Sequence, residues 1–322
     1  MRHPESAYSR RQFAKISALA LTGAASLSFL DRPRADESGG RPNSKFAGVQ
    51  VGMNVPYSFA KPEMTGEDIL KNCVQLGLSA VELRTQSVEV FMGAPADLIF
   101  PPKSAPKSET AARAEKLRQW RLSAPMERAA AFRKMYEDDA GVRIEIAKVD
   151  GIFKMADQES DHMFALAKAL GARAISTEIS HAEEDLKRLG QFADKHQFMV
   201  GYHGHTETGP QHWEKAFSLA KYNGANVDLG HFVAGQNTSP VPFIKQYHDR
   251  ITHVHIKDRK YHNGPNTPLG QGDTPIVEVL HLIRDNHWNI QATIEFEYKV
   301  PAGSTREAEL ARCVKYCKDA LV

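Results

Sequence analysis

The sequence predicts an α/β fold, a (βα)8 or TIM barrel with a helical insertion after strand 2, on three observations. Eight short apolar, strand-like runs alternate along residues 46–322 with segments of helical period and length. Several helical segments close on glycine, as in Leu76-Gly77, Leu170-Gly171 and Asn223-Gly224, where glycine supplies the left-handed residue that stops a helix before the next strand. Carboxylates and imidazoles stand at the C-terminal ends of several runs, the end where a parallel barrel carries its chemistry. The alternative, an open doubly wound sheet, expects a glycine-rich phosphate loop after the first run, and none follows it.

Taken in order, residues 1–35 read as an export signal. Ser9-Arg10-Arg11-Gln12-Phe13-Ala14-Lys15 is a twin-arginine pattern, and the uncharged stretch 16–30 after it is rich in Ala, Leu and Ser. That stretch is shorter than the roughly 20 residues a membrane span needs. A small-residue cleavage site falls near Ala35, with an uncleaved anchor as the alternative. The pattern implies the twin-arginine export machinery as a partner and a periplasmic or exported location. Residues 36–45 carry no large apolar side chain and read as a linker, so the barrel is placed at 46–322.

Strand-like runs follow at 48–53, 80–83, 142–147, 172–177, 198–202, 225–229, 251–256 and 290–296. Helical periodicity is clear at 66–76, 157–170, 183–196, 274–286 and 305–321. Two insertions break the regularity. Residues 85–139 open with a proline-rich stretch and continue as a charged, alanine-rich helical hairpin around Trp120 and Met135; residues 259–273 are rich in glycine. Both follow strands, so both are expected to hang over the catalytic face as lids or substrate-binding loops.

The chain carries +2, but residues 1–35 hold six basic residues (Arg2, Arg10, Arg11, Lys15, Arg32, Arg34) against two acids (Glu5, Asp31). The remainder therefore carries −2. No basic footprint of a nucleic-acid binder is present, and the pI near 8.3 owes much to the signal. The three cysteines, Cys73, Cys313 and Cys317, give no disulfide framework and are expected to be buried thiols. The oligomeric state is left open, a homo-oligomer included.

Glu178, Asp228, His255 and Glu295 end four of the strand-like runs. A single acid there is usually a loop cap; four donors from four strands form a constellation. The mixed oxygen and nitrogen set suits one divalent ion, Mn, Co, Mg or Zn, and the lack of thiolates argues against a structural zinc. Glu295 and Glu297 are two apart on one strand and share a face, so either reaches the mouth, with Glu295 preferred for its place directly after the apolar run. Glu82 ends the second strand and either binds substrate or pairs with Arg84. His253 shares a face with His255 and is expected to support the metal from below. Lys257 either neutralises an enolate or is a solvated loop charge.

Glu178, the pair Asp228-x-x-His231, His255 and Glu295 fall in the order and spacing seen in the xylose isomerase-like barrel superfamily (AP endonuclease 2-type barrels). That superfamily includes ketose 3-epimerases, hydroxypyruvate isomerase, inosose dehydratase and endonuclease IV, and the chain resembles it from about Phe46 to the C-terminus. The resemblance implies that Glu178, Asp228, His255 and Glu295 hold the metal, with Glu178 and Glu295 doubling as acid and base on the two faces of a sugar. It implies that His231 contacts substrate oxygens. Gly201-Tyr202-His203-Gly204-His205 resembles a motif of the sugar isomerase-like members, which implies that His203 or His205 faces the substrate. The chain departs from the epimerases at Tyr261, where they carry arginine, and its Lys257-Asp258-Arg259 is closer to the inosose dehydratase and sugar isomerase-like branch. An endonuclease IV-like nuclease would need histidines on the early strands, which supply none.

A divalent ion on a carbonyl and its neighbouring hydroxyl acidifies the adjacent C–H, which a carboxylate can remove. The enediolate can then be reprotonated on the other face, reprotonated at the next carbon, or expel a β-leaving group. The expected function is therefore a metal-dependent sugar isomerase or epimerase acting on an unphosphorylated sugar or keto-sugar, since neither a phosphate cradle nor an arginine cluster appears. A 3-keto-glycoside lyase, hydratase or dehydratase using the same first step is one alternative; a non-catalytic carbohydrate-binding barrel is another.

Overall fold

The computed structural model describes residues 40–102 and 106–322. Residues 1–35, expected to be an export signal, and the first part of the expected linker lie outside the described residues. Eight parallel strands pair in chain order: β1 (Val49–Val55), β2 (Ala80–Arg84), β3 (Arg143–Lys148), β4 (Ala174–Glu178), β5 (Met199–His203), β6 (Asn223–Asp228), β7 (Ile251–Ile256) and β8 (Gln291–Ile294). The sheet closes because β8 also pairs β1, with Ala292, Thr293 and Ile294 opposite Val51, Gly52 and Met53. The result is a TIM barrel whose strands are almost wholly buried, as strands covered on both faces must be.

The outer layer contains α1 (Gly66–Gln75), α2 (Thr85–Met92), α3 (Thr110–Leu122), α4 (Met126–Lys134), α5 (Asp157–Ala169) and α6 (Glu183–His196). It continues with α7 (Pro210–Leu219), α8 (Leu229–Gln236), α9 (Val241–Tyr247), α10 (Ile276–Asp285) and α11 (Arg306–Leu321). Each main helix buries one stripe. In α6 the stripe is Leu186, Leu189, Gly190 and Ala193, at helical spacing, and each leucine contributes about 1.5–3 kcal/mol on burial. Gly190 is required there because a β-carbon would stand 2.5 Å from that of Ala220.

The expected glycine stops hold at two of three places. Gly77 and Gly171 have φ of +70° and +77°, and the next residues close back, Leu78 N–H to the Cys73 carbonyl and Ala172 N–H to that of Ala167. Asn223-Gly224 is different. The preceding helix ends at Leu219, and both residues belong to β6, where the Asn223 side chain bonds Tyr202 Oη and the Ala216 carbonyl.

The 85–139 insertion is only partly a lid. α3 and α4 pack on the barrel's flank against α5, burying Phe132, with Tyr136 just after α4. Arg121 at the end of α3 ties the hairpin down through Glu89 of α2 at 2.7 Å and Glu159 of α5 at 3.0 Å, all three buried. Among its described residues, Gln86, Ile99 and Phe100 reach the mouth. The 259–273 loop reaches the cleft over the mouth at Asn266 and is held in shape from its base: Asp258 accepts N–H groups from Gly270, Gly272 and Thr274, and Asp258–Arg259 pairs antiparallel with Asn266–Thr267. The linker expected to 45 ends earlier, because Ser44 is buried with its hydroxyl on the Val51 carbonyl, and Lys45 begins a two-residue strand against β1. The three cysteines are free and buried. No helix among the described residues is long and apolar enough to cross a membrane.

Candidate active site

Four successive strands each end in a donor aimed at one point. His203 on β5, Asp228 on β6, His255 on β7 and Glu295 just past β8 are buried and offer atoms within 4.8 Å of one another. The other polar atom of each is pinned elsewhere. Glu82 on β2 holds His255 Nε2 at 2.7 Å, and Glu178 on β4 holds His203 Nδ1 at 2.9 Å. The His231 N–H at the start of α8 donates to Asp228 Oδ1 at 2.7 Å, and Asn54 on β1 donates to Glu295 Oε1 at 2.7 Å. With one nitrogen of each ring committed, His203 Nε2 and His255 Nδ1 are left as lone-pair donors, and each carboxylate keeps one oxygen facing inward.

Of those inward atoms the two carboxylate oxygens meet only the Lys257 ammonium, and the two imidazole nitrogens meet no donor or acceptor in hydrogen-bond geometry. His203 Nε2 and His255 Nδ1 are thus buried without a hydrogen bond, a costly state for polar atoms. His255 Nδ1 stands 3.6 Å from Asp228 Oδ2 and 3.1 Å from Glu295 Oε2; His203 Nε2 stands 3.6 Å from Asp228 Oδ2. Five carboxylates, Glu82, Glu178, Asp228, Glu295 and Glu297, face two ammonium groups, Lys148 and Lys257. Two buried imidazole nitrogens without hydrogen bonds, beside carboxylate oxygens that outnumber the ammonium groups, fit one divalent ion of the Mn, Co, Mg or Zn type.

The electrostatics point the same way. Burial alone would raise the Asp228 and Glu295 carboxyls, but Lys257 at the first and His255 at the second hold both well below the usual range. Burial would lower His255, yet Glu295 and Glu82 outweigh it and raise it, a demand for positive charge that a proton or a cation answers. Burial takes His231 down to about 4 despite Asp228, so this ring is neutral near pH 7.

The expected metal set is thus only partly assembled. Asp228, His255 and Glu295 meet as the sequence suggested. Glu178 does not join them: its half-exposed carboxylate is held by Lys148 at 2.6 Å, His203 at 2.9 Å and His205 at 2.8 Å. His203, expected to face substrate, takes the fourth place. Glu82 does not pair with Arg84: it is fully buried between His255 and His253, while Arg84 pairs with Asp150. His253 lies below the cluster, 3.4 Å from Glu82, as expected. Lys257 is a buried member of the cluster rather than a loop charge, and His231 contacts it at 3.0 Å. Glu297 sits beside Glu295, 2.8 Å from Lys257.

Glu297 also links this cluster to a cleft of about 640 Å³ over the mouth. Tyr57 Oη donates to Glu297 at 2.5 Å, and the walls include Arg84, Asp150, Ile99, Phe100 and Phe296. Tyr57, Asn54 and Lys148 escaped the sequence reading. Asn54 and Lys148 are single polar residues at strand ends and Tyr57 opens the turn after β1; none has a motif around it, and proximity to a strand end was the available signal.

Comparison with known proteins agrees with this architecture. An inosose dehydratase of Clostridium botulinum (strain Eklund 17B / Type B) is 39% identical over 79 residues, 23% of this chain and 26% of that protein, so the match spans about a quarter of that relative. Among solved structures, a xylose isomerase domain protein from Planctomyces limnophilus superposes with a TM-score of 0.56 at 15% identity, covering 84% of this chain and 96% of its own. The apo form of 3-keto-D-glucoside 4-epimerase, YcjR, from E. coli gives 0.56 at 11%, covering 84% and 99%. At these identities the likeness speaks for the fold. The family profile described as a xylose isomerase-like TIM barrel matches residues 70–318, most of the chain, and the protein belongs to that family.

Proposed function

We propose that this protein is a divalent-metal-dependent enzyme of the sugar isomerase and epimerase type, acting beside the carbonyl of an unphosphorylated sugar or keto-sugar. The observation that carries the reading is the buried quartet His203, Asp228, His255 and Glu295, whose two inward imidazole nitrogens have no hydrogen-bond partner. A divalent ion held there supplies Lewis-acid polarisation of a carbonyl and its neighbouring hydroxyl. The chain's own groups then have two sides to work from. Glu178 at the end of β4 and His205 just past β5 are both about half exposed. Glu297, bonded to Tyr57, stands at β8, across the eight-stranded barrel from β4. Carboxylate and imidazole on one side, with carboxylate and phenol on the other, allow a proton to leave one carbon and return from a different direction. Phe296, Ile99 and Phe100 exclude water along the cleft wall.

Elimination uses the same first step, and the curated relatives named inosose dehydratase favour it as the second reading. On the twin-arginine pattern at Arg10-Arg11 we also place the working enzyme in the periplasm. The test is metal content per chain for the wild type and Asp228→Ala, followed by incubation of the loaded protein with keto-sugars and inososes in deuterated water. About one ion per wild-type chain, lost in the variant, with deuterium entering next to the carbonyl, is the expected result. A product short of one water selects the dehydratase reading. No metal and no exchange with any substrate would leave a carbohydrate-binding barrel.

A further inference from the structure

We infer that the Lys257 ammonium is a built-in competitor of the divalent ion, seated on the carboxylate side of the site when the ion is absent and pushed into the cleft when it binds. The inference rests on the metal reading above. Lys257 Nζ lies 2.7 Å from Glu295 Oε2 and 3.0 Å from Asp228 Oδ2, the same two oxygens that the quartet turns inward. Two cations on two shared oxygens repel one another, so the ammonium yields those contacts to an ion that also engages His203 Nε2 and His255 Nδ1.

A second seat is already built. The remaining contacts of Nζ, Glu297 Oε2 at 2.8 Å and His231 Nε2 at 3.0 Å, belong to residues outside the quartet, and Glu297 lines the cleft. The lysine stem passes over Gly230, where a β-carbon would stand 2.8 Å from Lys257 Cγ, so glycine keeps that path open. Loading the site therefore moves a donor with three N–H groups toward the place where a substrate oxygen gathers negative charge. Metal affinity is correspondingly lower than the donor set alone would give.

The experiment uses the full chain stripped with a chelator, titrated calorimetrically with Mn²⁺ and Co²⁺, for wild type, Lys257→Gln and Lys257→Arg. Lys257→Gln is expected to bind about tenfold more tightly or better, and Lys257→Arg, which keeps the charge, no more tightly than wild type. On wild-type protein, trace acetylation read by mass spectrometry is expected to modify Lys257 faster once metal is added, a readout independent of whether the variants fold. Equal or weaker binding by Lys257→Gln, with acetylation unchanged by metal, overturns the inference and leaves the metal centre standing. Absence of binding by every form overturns both.

Discussion

At His203 the two ring nitrogens have separate tasks: Nδ1 is held by Glu178 at 2.9 Å, and Nε2 faces the quartet with no partner. The same division recurs at His255, with Glu82 behind Nε2. Carboxylates placed behind metal-binding imidazoles fix ring orientation and raise ligand basicity. It follows that His203→Ala should abolish stoichiometric metal binding, whereas Glu178→Gln should weaken it only about 10- to 100-fold. Calorimetric titration of the two variants checks this, and the reverse order would restore Glu178 to the ligand set. Asp228, His255 and Glu295 were legible in the sequence because a short side chain at the end of a parallel strand has one place to go. Glu178 and His203 were not separable that way. Which of two neighbouring strand ends reaches the centre depends on the Lys148 ammonium 2.6 Å from Glu178, and no local pattern announces Lys148.

Elements were easier to read than ring nitrogens, because burial on both faces makes each strand a short apolar run with helical periodicity between. β7 spans the residues expected, and the other seven strands deviate by a few residues at their ends. Asn223-Gly224 misled because a helix stop and a strand start with a close neighbour both use glycine; a β-carbon at Gly224 would meet the Arg250 carbonyl at 2.6 Å. The insertion's role was hidden because its anchor joins residues far apart in sequence. Arg121 sits between Glu89 and Glu159, and burial raises the Glu89 carboxyl above its ordinary 4.5 although Arg121 opposes it. Arg121→Met leaves two buried acids without a cation, so it should cost about 3–5 kcal/mol near neutral pH. A carboxyl raised in the folded state contributes stability that is present below its unfolded value and lost as pH rises through the folded one. The deficit of Arg121→Met should therefore shrink as pH falls below neutral and Glu89, raised above its ordinary value, takes up its proton. Denaturant unfolding at about pH 7 and about pH 5 measures it; a deficit of constant size would assign the loss to the packing of the arginine stem instead.

Across the whole molecule the site belongs to the closed barrel rather than to any part of it. Asn54, Glu82, Lys148, Glu178, His203, Asp228, His255 and Glu295 come from or directly follow β1 to β8 in turn, and the network has a member on every strand. The bond from Asn54 to Glu295, at 2.7 Å, crosses the seam where β1 meets β8, so the quartet is complete only when the sheet has closed. A ligand that binds the closed state and not the open chain stabilises all of it by mass action, about 2.7 kcal/mol at a free concentration one hundred times the dissociation constant. For a domain of this size that corresponds to a rise in Tm of roughly 4–6 °C. Differential scanning calorimetry of chelated and metal-loaded protein should show such a rise in a single transition, because donors from four strands cannot be released one strand at a time while the sheet stays closed. A metal-induced shift confined to one of two separate transitions would mean that part of the barrel opens without disturbing the quartet, and the dependence of the site on closure would then fail.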